Sequence, residues 1–272
     1  MLRRLLPSCL VLLSIAAPET AAGRAPAGTA PCPVDLVPAY SGVDGAIWGA
    51  AAAAPSRVGT LIADFGNGPG TARIDHLAAA VARARAAGLR VVGYDDTRFA
   101  RRPLSDALRD ADRWEASYGV DGIFVDNLSG KEPDIPYYTA LSRHVRALRG
   151  RALVVNGASG FTRDYMPLAD IFIAYEGTLA RYASHPMPGW THDYPPARFA
   201  SIVADAPGVA GMRRALDLAQ RFGVGNVYVT DAHFPSPYFM TPSFFQAERT
   251  YLASRSGCAV ARSRTRSGHR RQ

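Results

Sequence analysis

The 272-residue chain has one lysine, three cysteines and no paired histidines, and each scarcity removes a class of chemistry. The single lysine, Lys131, falls in a loop, so no strand end offers an amine for a Schiff base and imine-forming aldolase chemistry is excluded. No His-x-His pair or histidine-plus-acid cluster occurs, so neither a catalytic metal nor any other cofactor is expected. Cys9 lies in an N-terminal segment that is expected to be removed. Cys32 and Cys258 flank the regular part of the chain without histidine neighbours at zinc-ligand spacing. In an oxidising compartment these two are expected to form a disulfide joining the ends. Closing so long a loop would stabilise the fold by up to roughly 4–5 kcal/mol on the chain-entropy account.

Excess charge is missing from the body of the chain as well. Of the formal +8, six arginines within residues 255–272 account for +6. Arg3, Arg4 and Glu19 leave +1 in the first 22 residues, so residues 23–254 carry only +1. A body this close to neutral has no dedicated nucleic-acid surface. One long apolar run exists, LLPSCLVLLSIAA, preceded by Arg3 and Arg4 and followed by the small residues Thr20-Ala21-Ala22. That is the layout of a secretory signal, too short for a membrane anchor. The expected organisation is a signal peptide at 1–22, a linker at 23–33, one domain at 34–254 and a basic, disordered tail at 255–272. The protein is expected outside the cell without stable membrane insertion, and the sequence is silent on oligomeric state.

Within the body, short β-like runs alternate with helical stretches. The runs are VDLVPAY (34–40), VGTLIADF (58–65), LRVVGYDD (89–96), DGIFVDN (121–127), ALVVNG (152–157), DIFIAYEG (170–177), FASIVAD (199–205) and NVYVTDA (226–232). Between them, segments such as 74–88, 105–119 and 211–223 have helical periodicity. Repeated strand–helix units imply parallel strands joined by crossovers. Eight of them over about 220 residues predict a single α/β domain, a (β/α)8 TIM barrel. An open doubly wound sheet is disfavoured, because no glycine fingerprint follows the first strand.

In such a barrel the carboxyl ends of the strands surround one site. Those ends carry acids, amides and aromatics: Tyr40, Asp64, Tyr94, Asp95, Asp96, Asp126, Asn127, Asn156, Tyr175, Glu176, Asp205, Asp231 and, just beyond, His233. Any single acid there reads equally well as a cap for the following helix. As a set they fit glycoside cleavage, which needs one acid to protonate the leaving oxygen and one carboxylate to attack or to activate water. Asp126 and Glu176 are the expected catalytic pair. Strict alternation groups Asp126 with Phe124, and Glu176 with Ala174 and Phe172, on one face of their strands. Tyr94, Tyr175, Trp190 and Tyr194 would supply stacking surfaces for sugar rings. Tyr40, Asp96, Asn127, Asn156, Asp231 and His233 complete the expected substrate-binding set.

Several stretches, in order, resemble the spherulin 4-like proteins (spherulation-specific family 4), grouped with glycoside hydrolase family 135. They include VPAYSG, GNGPG, GLRVVGYDDTRFARRPLSDALRDADRW, YGVDGIFVDNLS, ALVVNGAS, ADIFIAYEGT and GVGNVYVTDAHFPSPYFMTPSFF, spread over roughly residues 34–253. The resemblance implies an extracellular (β/α)8 hydrolase, without cofactor, cutting α-1,4-linked N-acetylgalactosamine in galactosamine-rich exopolysaccharide. It assigns Asp126 as nucleophile and Glu176 as acid and base. Two positions depart from the family pattern: Asn127 stands where it usually has glutamate, and Asp95 where it tends to be apolar. If that glutamate performs chemistry, the alternative is a secreted barrel that binds glycan without cutting it. A structural, spore-coat role is a third reading, supported by the basic tail alone.

Overall fold

The computed structural model describes residues 33–254, apart from 44, 54–57, 149–150 and 159. The expected signal peptide, the Cys32–Cys258 disulfide and the basic tail lie outside the described residues.

All eight predicted runs form strands: β1 (Val34–Ala39), β2 (Val58–Ala63), β3 (Arg90–Asp96), β4 (Gly122–Asp126), β5 (Ala152–Asn156), β6 (Ile171–Thr178), β7 (Phe199–Ala204) and β8 (Asn226–Val229). Each pairs in parallel with its sequence neighbours, and β8 closes onto β1. The reason is visible in their composition. Apolar residues, valine, isoleucine, leucine and alanine foremost, dominate the strands and are buried, as parallel strands covered on both faces require. Around them lie α1 (Ala46–Ala52), α2 (Asp75–Ala86), α3 (Leu104–Tyr118), α4 (Ile135–Ala147), α5 (Leu179–Tyr182), α6 (Gly208–Arg221) and α7 (Phe245–Ser254). The chain is a (β/α)8 barrel with a thin sector. Among the described residues between β5 and β6 only a 3-10 turn at Arg163–Tyr165 is formed, and α5 has just four residues. Among the described residues no helix is long and apolar enough to cross a membrane.

One packing contact positions the site directly. Helix α3 buries Ala107, Ala111, Trp114 and Tyr118, an i, i+4, i+7, i+11 stripe, and stops at Gly119 in the left-handed region (φ 60°). Trp114 lies flat against Gly93 of β3, where an added Cβ would come within 2.2 Å of the indole ring. Its Nε1 donates to the carbonyl of Tyr94 at 2.9 Å. With the outer face of β3 occupied by Trp114, the neighbouring side chain, Tyr94, projects into the barrel.

Candidate active site

Tyr94 pairs laterally with Phe124, and the last residue of β4, Asp126, therefore faces the same interior two positions on. The Tyr94 hydroxyl donates to Asp126 Oδ2 at 2.7 Å. Asn156 ends β5 and is the next member of the ring. Its Oδ1 accepts from the N–H of Ala158 at 3.1 Å, which fixes the amide so that the nitrogen points at the acids. Asn156 Nδ2 donates to Asp126 Oδ1 at 3.0 Å and to Glu176 Oε2 at 2.6 Å. The other oxygen of Glu176 accepts from the hydroxyl of Tyr238. Each carboxylate thus holds two donated hydrogen bonds, and one nitrogen serves both.

Glu176 reaches the interior by a route that alternation does not give. Residues paired across the barrel share a face, and Asn156 pairs with Ile173, so Ile173 points inward and Phe172 outward. Phe172 stacks on Phe161 in the outer layer, with ring centroids 4.8 Å apart. A regular strand would then send Glu176 outward too. The pairing of β6 with β7 shifts register between Ile173 and Tyr175, which turns Tyr175 out and Glu176 in, beside Ile202. The expected grouping of Glu176 with Phe172 and Ala174 is therefore corrected: the bulge, not the alternation, aims this carboxylate.

A cavity of about 200 Å³ at the carboxyl ends of the strands is lined by Asp126, Glu176, Asn156, Tyr94, Tyr40 and Asp64, with Tyr238 and Phe239 above them. Tyr40 packs edge-on against Tyr94 (5.7 Å) and Tyr238 (5.4 Å). Burial pushes the phenols of Tyr40, Tyr94 and Tyr238 upward, reinforced by the charge of Asp126 for the first two and of Glu176 for Tyr238. All three stay protonated, and the hydroxyls of Tyr94 and Tyr238 donate to the two acids. Asp64 accepts from the N–H groups of Gly66 and Gly68, both at 3.1 Å, so it pins the GNGPG turn rather than capping a helix. Burial raises the Asp64 carboxyl above its ordinary value, and those N–H groups oppose the rise.

Of the expected binding residues, the structure brings Tyr40, Tyr94 and Asn156 to Asp126 and Glu176 and leaves the others outside this cavity. Asn127 sits at φ 54° and donates to Asp96 Oδ1 at 2.8 Å, so these two side chains satisfy each other. Tyr175, turned out by the bulge, donates to the Thr178 carbonyl at 2.6 Å and packs on Tyr182. Trp190 packs edge-on against Phe161, Tyr194 and Phe199, the first residue of β7, and is a packing residue of the outer layer. Asp231 accepts from the backbone N–H of Ser243 at 3.2 Å and from its hydroxyl. His233 is mostly exposed and pairs with Asp205. Asp95, the other family departure, is buried against Arg102, and burial holds its carboxyl up at about 7 despite that cation.

Sequence reasoning missed Tyr238 and Phe239. They lie nine and ten residues past the end of β8, in a loop without periodicity. The signal available was the aromatic pair itself, framed by proline and serine in PSPYFM.

The family model for spherulation-specific family 4 matches residues 36–250, most of the chain. The chain belongs to the spherulation-specific family 4. Within it, Spherulin-4 of Physarum polycephalum is 29% identical over 93 residues, which take in 34% of this chain and 28% of that protein. The match thus spans little more than a quarter of the curated relative's length. Among solved structures, Aspergillus clavatus Sph3, determined in complex with GalNAc, aligns with a TM-score of 0.64 at 18% identity. That alignment covers 83% of this chain and 98% of Sph3. The Bacillus cereus spore cortex-lytic enzyme SleL aligns with a TM-score of 0.50 at 13% identity, over 82% of this chain and 75% of SleL. At such identities the likeness is one of fold: this member of spherulation-specific family 4 shares the barrel architecture of those proteins.

Proposed function

We propose that this family member is a secreted glycoside hydrolase that cleaves α-1,4-linked N-acetylgalactosamine and galactosamine polymer, with Asp126 as nucleophile and Glu176 as acid and base. One observation carries the reading: Asp126 and Glu176 accept from the same nitrogen, at 3.0 and 2.6 Å, inside a cavity at the barrel mouth. Two oxygens bonded to one atom lie no farther apart than the two bonds laid end to end, under about 6 Å. Carboxyl pairs roughly 5–5.5 Å apart suit direct attack, whereas about 6.5–9.5 Å leaves room for a water between acid and base. The spacing supports a retaining, two-step mechanism.

In the first step Glu176 gives its proton to the bridging oxygen while Asp126 attacks the anomeric carbon. In the second, Glu176 takes a proton from water as that water displaces Asp126. Asn156 holds both groups at fixed distance, and Tyr94 steadies the free oxygen of the nucleophile. The GalNAc bound by Sph3 and the sequence resemblance support the choice of sugar; the N-terminal segment 1–22 supports secretion. The binder-only reading drew on the absent glutamate at position 127. Here that side chain is engaged by Asp96 outside the cavity, so its identity removes no group from the pair. Purified protein incubated with partially acetylated α-1,4-galactosamine polymer is expected to release new reducing ends. Retention on the polymer without release would establish the binding barrel instead.

A further inference from the structure

Glu176 lines two cavities, and Asp126 only one. The second, of about 380 Å³, is walled by Glu176, Ala158, Tyr175, Arg181, His185 and Phe234. Ala158 follows β5, Arg181 lies in α5 after β6, and Phe234 follows β8, so this cavity opens at the same end of the barrel as the first. The two differ in charge. Asp64, Asp126 and Glu176 line the central cavity, with no cation among its described residues. The flanking one holds the guanidinium of Arg181 and the ring of His185, 5.2 Å from that of Tyr175. Among the described residues neither Arg181 nor His185 makes an ion pair. Phe234, 41% exposed, adds an apolar wall on which a ring can rest.

This step rests on the reading of Glu176 as the acid. The acid must touch the leaving oxygen, so the bond breaks beside Glu176. The sugar attacked by Asp126 occupies the cavity that Asp126 lines, and its leaving neighbour occupies the cavity that Glu176 alone shares. The proton passes from Glu176 to the bridging oxygen, the electron pair of the C1–O bond goes to that oxygen, and Asp126 bonds to C1. The leaving residue departs as an alcohol. We propose that the cavity bounded by Tyr175, Arg181, His185 and Phe234 is the leaving-residue subsite, and that Arg181 makes it select an N-acylated hexosamine over a free hexosamine, whose ammonium would face the guanidinium. The central cavity, with three acids and no cation among its described lining residues, places no such demand on the residue attacked.

The ends created by cleavage record this choice separately on the two sides. In a digest of partially acetylated α-1,4-galactosamine polymer, new non-reducing ends derive from leaving residues and new reducing ends from attacked ones. Sequencing products by mass spectrometry is expected to show acetylated residues enriched about fivefold at new non-reducing ends relative to the polymer, the scale of an exposed charge contact. Salt should weaken the bias. Arg181→Gln should abolish it and Arg181→Glu reverse it. End compositions identical in all three proteins would overturn the assignment. If the wild type releases no ends, the hydrolase reading fails on its own, and calorimetry with fully acetylated and fully deacetylated tetrasaccharides still reads the subsite. There Arg181→Glu should tighten the deacetylated ligand about fivefold, and equal affinities for wild type and variant would sink the proposal.

Discussion

Asn127 Nδ2 donates to Asp96 Oδ1 across 2.8 Å, holding the side chain directly after Asp126 away from the central cavity. Asp96 Oδ1 also accepts from the N–H of Arg98 at 2.8 Å, and the Asn127 carbonyl accepts from the N–H of Phe99 at 2.9 Å. These bonds hold an unusual turn in which Arg98, Phe99 and Ala100 all have positive φ (50°, 59° and 62°). Asn127 itself is left-handed (φ 54°), a conformation that asparagine tolerates better than most residues. Asn127→Glu would therefore strain the backbone and set a second carboxylate against Asp96. It is expected to lower stability by about 1–2 kcal/mol, read from the urea midpoint, without increasing reducing-end release. Faster cleavage by that variant would mean that position 127 does reach the substrate.

Asp126→Asn and Glu176→Gln keep the shape of the pair and remove its proton chemistry. Each leaves an amide able to accept from Asn156, so both variants should fold with the circular dichroism spectrum of the wild type. Loss of an acid–base group costs on the order of 10²–10⁴-fold in turnover, and loss of the nucleophile at least as much. Near-normal release of reducing ends by either variant would strike that residue from the mechanism.

Much of this was legible from composition and spacing. The apolar runs marked every strand, because parallel strands buried on both faces leave little room for polar residues. Asp126, Asn156 and Tyr94 followed from position alone, each being at or near a strand end on the inward parity. Glu176 reaches the cavity by a different route from the one expected: the register shift after Ile173 is an event of pairing between β6 and β7, with no local composition that announces it. The same shift turned Tyr175 away. Asp96 and Asn127 looked like site residues because their engagement with each other, 31 positions apart, is invisible in a linear reading. Trp190 shows the same ambiguity, since an aromatic suited to stacking on sugar suits outer-layer packing equally well.

Tyr238 belongs to the site through a loop, and three bonds keep it there. Its hydroxyl donates to Glu176 Oε1, while Asp231 fastens the far side of the loop through Ser243. Tyr238→Phe removes a donor to the acid and should reduce kcat roughly tenfold, with smaller change in KM. Asp231→Ala acts as the loss of a positioning residue: the loop loosens, Phe239 moves from the cavity and KM rises as well. Asp231→Asn retains an acceptor for Ser243 and should recover most of the loss. Equal kinetics for Asp231→Ala and wild type would show that the loop holds Tyr238 without that anchor.

At the opposite side of β1 a buried acid makes stability sensitive to pH. Glu248 of α7 is 1% exposed, and among the described residues its Oε1 accepts no hydrogen bond. Asp35, Arg249 and Tyr228 surround it. Burial raises the Glu248 carboxyl well above the ordinary 4.5, with the charge of Asp35 adding to the rise and Arg249 opposing it. The sign follows. Below 4.5 the group is protonated both folded and unfolded, and its contribution to stability is fully present. Above that value the unfolded chain ionises while the fold keeps the proton, so stability falls by about 1.4 kcal/mol per pH unit until the folded group also titrates. Glu248→Gln cannot titrate and fills the same space. Urea unfolding between pH 4 and pH 9 should show the variant gaining on the wild type steadily above pH 4.5. Two parallel stability curves would mean that Glu248 is already ionised and compensated within the fold.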